Sequence, residues 1–436
     1  MNARIKEQIE QINSGIVPEG YQKTAFGIFP CDWETNKTLG DLGQFSKGKG
    51  IPGNKLTSEG VPCVGYGDIY MKYNYHFENA QSFVDEQTAA ESQKIGKGTL
   101  LFTATGETAE EIGKCVCYNG EKDIYAGGDI ITFVPYVLNS LFIAYQQYQS
   151  YALRQKASFG QGHSVVHIQK DRLEKLHIAF PKSTQEQARI AEILMQWDKA
   201  IELQGKLGEA YQKLKKYCLN KMFPKKGSNV PEIRFPGFTA PWEQRKLGDM
   251  GKTFTGLSGK SSVDFGHGDG RFVTYMNVFT NAIANPEMVE PIEIDSKQST
   301  VKYGDIFFTT SSETPEEVGM SSIWLENTPN TYLNSFCFGF RLQTDLDHVY
   351  MAYALRSDTF RTKIILLAQG ISRYNISKNK VMDIDSVFPS IMEQKQIGEF
   401  FLNLDNIITL HQKKREKLVA QRKILQQYLL TGIVRV

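Results

Sequence analysis

The sequence contains no run of about twenty apolar residues, the length a bilayer-spanning helix needs. Its polar opening, MNARIKEQIEQIN, lacks the apolar core of a signal peptide. Both features point to a cytoplasmic protein without a membrane partner. Cysteine is sparse. The six, Cys31, Cys63, Cys115, Cys117, Cys218 and Cys337, show neither paired CxxC nor His-containing spacings of the kind zinc sites use. Cys115 and Cys117 alternate within an apolar stretch, as two small side chains on one strand face would, and all six read as reduced structural thiols. Net charge is slight, +2 over 436 residues, which neither requires nor excludes a nucleic-acid partner. Catalytic signatures are missing too. Gly259-Lys260-Ser261 has Phe254 where a phosphate-binding loop needs glycine. NPEM at 285–288 is not the Asn-Pro-Pro-aromatic motif of adenine methyltransferases, and no dinucleotide fingerprint follows a convincing strand. No catalytic residue is therefore assigned.

What the sequence does have is itself, twice. IGKGTLLFTATGETAEEIG at 95–113 matches VKYGDIFFTTSSETPEEVG at 301–319 at eight of nineteen positions, where unrelated segments share roughly one. DWETNKTLGDLGQF at 32–45 corresponds to PWEQRKLGDMGKTF at 241–254, FGQGHSVVHI at 159–168 to LAQGISRYNI at 367–376, and FPKSTQEQARIAEIL at 180–194 to FPSIMEQKQIGEFF at 388–401. PCVGYGDIY at 62–70 lies more weakly over FVTYMNVFT at 272–280. The offset stays between 206 and 210, far beyond the roughly 20–50 residues of a solenoid unit, so the repeat is a duplicated domain. At 436 residues, with 41% hydrophobic and 22% charged side chains, the chain is ordinary globular protein with room for roughly two to four domains.

Each copy opens with Gly-, aromatic- and β-branched-rich sequence that favours short strands, and closes in a helix. Ile190, Leu194, Trp197, Ile201, Tyr211 and Cys218 keep the alternating four-and-three spacing of a coiled-coil seam, as do Ile397, Phe401, Leu404, Ile408, Leu418, Leu425 and Leu429. Both seams turn polar midway, at Gln204/Gly208 and His411/Arg415, where polar residues either set pairing register or are simply solvated. Toward the helix ends the best offset becomes 211, pairing Leu214 and Tyr217 with Leu425 and Tyr428 across an expected four-residue insertion. The fold class is α+β: two similar β-rich domains, each followed by a long helix, the helices pairing as an antiparallel coiled coil with pseudo-two-fold symmetry. The segments expected are an N-terminal helix over 1–17, a domain over 18–183, a helix over 184–223, a linker over 224–238, a second domain over 239–390 and a helix over 391–436. A helix over 184–222 is about 58 Å long, or about 17 base-pair steps, so two domains on such a rod suit a gapped target on one duplex.

Basic charge gathers late in each repeat, with Arg154 and Lys156 in one and Arg361, Arg373 and Lys378 in the other. FSKGKGIPGNK at 45–55 reads either as a loop whose amides and Lys47, Lys49 and Lys55 meet phosphates, or as a flexible surface turn. GYGDIYMKYNYHF at 65–77, with Tyr66 and Lys72, reads as a base-stacking segment or as an ordinary strand. His163, His167, Lys260, Arg271, Tyr275, Asn277 and Tyr374 complete the DNA-contact candidates. His163 and His167 lie four apart, but Ile371 and Asn375 replace them in the second copy, so no metal site is expected. The glutamates of the twin stretches (Glu107, Glu110, Glu111; Glu313, Glu316, Glu317) are expected on shared scaffold, away from DNA.

With WETNKTLGD and WEQRKLGD at the domain openings, GQGHSVVHI and AQGISRYNI late in each copy, and the FP…EQ…I…L…D…I helix starts, the chain resembles the specificity subunit of type I restriction-modification systems. The resemblance covers nearly the whole chain. It implies two target-recognition domains, each reading half of a split double-stranded DNA sequence, with the helices as spacer. It also implies two adenine-N6 methyltransferase subunits docked on the helices, and motor-nuclease subunits for cleavage. S-adenosylmethionine, ATP and magnesium then belong to those partners and no cofactor to this chain. An atypical DNA methyltransferase or nuclease, or a non-DNA protein scaffold, are the rival readings.

Overall fold

The computed structural model describes residues 3–162 and 165–436. The chain forms two compact units, one of residues 1–203 with 415–436 and one of residues 204–414. Each contains one copy of the repeat together with segments of both long helices.

In the first unit a five-stranded sheet runs in the order Gly43–Lys47, Ile130–Pro135, Leu100–Thr103, Cys115–Tyr118, His76–Phe77, beside a four-stranded sheet of Ser82–Val84, Val61–Val64, Ile124–Ala126 and Gln93–Ile95. The strand Leu100–Thr103, the front of the first twin stretch, is buried throughout. Leu100 and Phe102 face one apolar cluster and Leu101 the other, so its continuous apolar run comes from cover on both faces. Cys115 and Cys117 share a face in the same way, with Val116 and Tyr118 on the reverse, and all six thiols are free.

The second unit repeats this plan in shorter form. Gly251–Thr255, Cys337–Leu342, Ile306–Thr309 and Ser321–Ile323 make one sheet, and Val289–Ile292, Phe265–Val273 and Thr331–Leu333 the other. Ile306 and Phe308 face the larger core and Phe307 the smaller.

The long helices span Thr184–Lys221 and Ile391–Leu430. The second ends before the expected residue 436 because Gly432, at φ 72°, turns the chain out of the helix. The N-terminal helix, Ala3–Asn13, likewise ends ahead of Gly15 at φ 75°. Within each unit the two helical segments run antiparallel: Glu186 meets Arg435 and Asp198 meets Arg422 in the first, and Gln204 meets His411 and Lys215 meets Asp405 in the second. Ile190 and Leu194 pack with Leu425, Leu429 and Leu430 in the first core, and Ile397, Phe401 and Leu404 with Tyr211, Cys218, Met222 and Phe223 in the second. Ile408 is 8% exposed, whereas Trp197, Ile201 and Leu418 are half-buried.

These contacts overturn the expected four-residue helical insertion. Cys218, Met222 and Phe223 occupy the places of Leu425, Leu429 and Leu430, a constant offset of 207. The polar middle is paired in the second unit, where His411 Nδ1 lies 2.8 Å from Gln204 Oε1 and its ring stacks on Tyr211.

Candidate nucleic-acid interface

The helix-start motif is a joint. Gln187 Nε2 donates to the Pro181 carbonyl (2.9 Å), and its Oε1 accepts from the amide of Asn139, which caps helix Ser140–Gln146. Gln394 repeats both bonds with Pro389 and with Asp347, which caps helix His348–Ala354. One residue earlier, Glu186 takes a two-pronged ion pair from Arg435 at 2.6 and 2.8 Å, and Glu393 one from Arg234 at 2.7 and 2.8 Å. Planar carboxylate–guanidinium pairs fix orientation as well as distance. Asp32 also accepts from Arg435, which holds its carboxyl below the usual carboxylate range.

The twin acidic stretches are turns locked from behind. Gly113 and Gly319 sit at φ 67° and 65°, a left-handed backbone that glycine adopts without strain. The Gly113 carbonyl accepts from Lys156 Nζ at 2.9 Å. Arg361 holds the other turn through the carbonyls of Gly319, Glu316 and Val318. Lys156 is 1% exposed, and burial pushes its pKa down to about 8. Arg361 is lowered to about 10 by the same cause and stays charged at neutral pH. Both were DNA-contact candidates, and the structure corrects them: their charged ends are turned inward to bond backbone carbonyls. Arg356 is spent likewise, on carbonyls of Val278, Phe279, Thr280, Asn281 and Ser321.

Two more candidates move from surface to scaffold. Asn277 is fully buried, its Nδ2 donating to the carbonyls of Asn285 and Met288. Tyr275 gives its hydroxyl to the Ser311 carbonyl at 2.8 Å, as Tyr70 gives its own to Thr105 at 3.0 Å; burial raises both phenols, Tyr70 to about 12.

In front of these turns stands a loop built the same way in both units. Gln161 and His167 exchange backbone bonds of 2.9 and 2.8 Å, and so do Gln369 and Asn375. Gly162 (φ 125°) and Gly370 (φ 141°) let the chain double back, since a Cβ there would lie 2.0 Å from the carbonyls of Val165 and Arg373. The returning strands, Val166–His167 and Tyr374–Asn375, pair with Thr105–Gly106 and Ser311–Ser312 at the head of each acidic turn. Glu107 directly follows the ladder that anchors this loop. The tips differ. Ile371 is 95% exposed, and Arg373 lies over the ring of Phe336, itself 55% exposed. Val165 is exposed in the first copy, and His163 lies outside the described residues.

The remaining candidates fall elsewhere. Lys47, Lys49 and Lys55 are exposed, but the loop is no free turn. The Gly48 amide donates to Ile130, Lys49 to Ala126 and Lys55 to Pro52, so these amides are not open to phosphates and the side chains alone face outward. Lys72 is paired to Asp68 at 2.7 Å and Lys260 to Asp295 at 2.9 Å. Arg271 bonds the carbonyls of Gly268 and Gly270. Tyr66 is half-buried against Tyr70, Arg154 and His167 are exposed, and Tyr374 and Lys378 are half-buried. Sequence reasoning missed Met71 (85% exposed) and Met276 (52%), the last residue of helix Tyr66–Met71 and the second of helix Tyr275–Thr280, and Phe336. Among the described residues no cluster of His, Cys, Asp or Glu is placed to hold a metal ion, and no helix is long and apolar enough to cross a membrane.

A duplicated frame presenting divergent loops is the architecture of a two-site recognition protein. A family model described as type I restriction modification DNA specificity domain matches residues 30–210 and again 240–420. The chain belongs to that family, as a specificity subunit with two DNA specificity domains. It is 24% identical over 445 residues to the type I restriction enzyme MjaVIII specificity subunit of Methanocaldococcus jannaschii, covering 93% of this chain and 94% of that one. The putative MjaX specificity subunit of the same organism is also 24% identical, over 96% and 97%. Among solved structures, a type I S subunit from M. genitalium aligns with a TM-score of 0.55 at 16% identity, covering 91% of this chain and 96% of that one. A chain from a type I R-M system aligns at 0.53 and 13%, covering 93% and 99%.

Proposed function

We propose that each specificity domain reads one half of a bipartite, gapped sequence in double-stranded DNA, and that the long helices set the gap. In this reading the chain catalyses nothing itself. Two adenine-N6 methyltransferase subunits dock on the helices, motor-nuclease subunits join for cleavage, and S-adenosylmethionine, ATP and magnesium are bound by those partners in the cytoplasm. The observation that carries the reading is the Gln-Gly loop, closed by the same backbone ladder in both copies and tipped differently in each. Direct readout of bases requires side chains that differ where sequences differ, on a frame that holds them at fixed height. Different tips imply different half-sites and a non-palindromic target.

The test is to co-express the chain with its methyltransferase partner and map methylated adenines. Replacing residues 18–183 by the first domain of another family member is expected to change one half-site and leave the other intact. Change in both halves, or methylation by the chain without a partner, overturns the reading.

A further inference from the structure

The Asp of the helix-start motif, Asp198 in one copy and Asp405 in the other, belongs to neither joint nor loop, yet it is the centre of a duplicated clasp. In the first unit Tyr145 donates its hydroxyl to Asp198 Oδ2 at 2.7 Å, and Arg422 from the other helix donates to Asp198 Oδ1 at 2.8 Å. Arg422 is 5% exposed. It also bonds the Tyr75 hydroxyl at 2.9 Å and Gln426, with its guanidinium 4.0 Å from the Tyr75 ring centre and 5.4 Å from that of Tyr145. In the second unit Tyr353 donates to Asp405 Oδ2 at 2.8 Å, Lys215 reaches Asp405 Oδ1 at 2.5 Å, and its ammonium lies 5.2 Å from the Tyr353 ring. Arg422 and Lys215 stand 207 apart, as do Asp198 and Asp405. Each clasp thus joins one domain helix to both long helices through a single carboxylate.

We infer that these clasps are the positioning elements that hold each recognition domain at one angle on its helices, and so make the protein intolerant of gaps of the wrong length. This rests on the bipartite reading above. Adding one base pair to a gap moves the second half-site by about 3.4 Å and rotates it about 35° around the duplex. A domain locked to its helices cannot follow such a change, whereas one with a broken clasp can. The two clasps are not equal. The guanidinium of the first is buried against two rings and binds three side chains, whereas Lys215 and Asp405 remain 22% and 33% exposed at the side chain. The first domain is therefore the more tightly held.

The experiment compares methylomes of cells carrying the methyltransferase partner with the wild-type chain or with Arg422→Met, Arg422→Lys and Tyr145→Phe. Wild type is expected to methylate one pair of half-sites at one gap. Arg422→Met is expected to keep both half-sites and raise methylation at gaps one base pair off by roughly tenfold. Arg422→Lys, which copies the second clasp, restores the single gap, and Tyr145→Phe, which removes one hydroxyl, shows a smaller spread in the same direction. If Arg422→Met does not fold, Tyr145→Phe decides. Unchanged gap selectivity in a folded variant, or equal loss of methylation at every gap, overturns the clasp proposal. Wild-type sites that are not bipartite would instead sink the reading on which it rests.

Discussion

Lys156 shows how a basic residue can be plentiful evidence in a sequence and yet serve the interior. Its ammonium is enclosed with one carbonyl, that of Gly113, and its pKa falls from 10.5 to about 8. The unfolded chain binds that proton more tightly than the folded one, so the charged form costs stability below pH 8 and the cost is relieved as pH rises from 8 toward 10.5. Relative to Lys156→Met, wild type is therefore expected to gain about 2 kcal/mol between pH 7.5 and 10, read from urea melts at the two pH values. A difference independent of pH would show that the ammonium is not buried in solution. Sequence could not separate Lys156 and Arg361 from Arg373. All three lie in basic helix-to-loop stretches, and only the packing of the acidic turn reveals which two point inward.

At the scale of elements, much more was legible. The strand content, the long helices and the burial of Ile190, Leu194, Ile397 and Phe401 follow from spacing, because a repeating apolar period has to be covered. The joint made by Glu186 and Gln187 was visible only as a repeated pair of letters. Its meaning depended on Arg435 and Arg234, which lie 249 and 159 residues away. The helical offset of 211 was misread because Leu214 and Tyr217 matched by identity while Cys218, Met222 and Phe223 matched by place. The glycines of the acidic turns give a graded test. A Cβ on Gly319 would lie 2.7 Å from both Ile364 and Ile376, whereas one on Gly113 meets the Lys156 chain at 3.1 Å and Ile168 at an ordinary 3.8 Å. Both pay left-handed strain, so Gly113→Ala is expected to cost about 1–2 kcal/mol and Gly319→Ala about 2–4 kcal/mol in urea unfolding. The reverse order would contradict the packing described.

For the molecule as a whole, the proposed spacer makes a quantitative demand. Four residues inserted at both 204–208 and 411–415 lengthen the helices by about 6 Å, close to two base-pair steps, while nearly preserving the helical face. The mapped gap is expected to grow by about two base pairs with both half-sites unchanged; an unaltered gap would show that the helices do not set it. The bases themselves stay unread in the sequence, because no residue type maps to one base outside its geometry.

The Gln-Gly loop has one further consequence, for how such a protein changes over generations. In the second copy its closure is made by main-chain bonds and a glycine and its anchor by two more residues of backbone ladder, while at the tip Ile371 is 95% exposed and Arg373 rests on the exposed Phe336 ring. Substitutions at the exposed Ile371 and Ser372 are thereby expected to cost the fold little. The fold provides a place where heritable variation can accumulate at little structural cost and, on the function proposed above, where a new binding preference can arise in one domain while its twin keeps the old one.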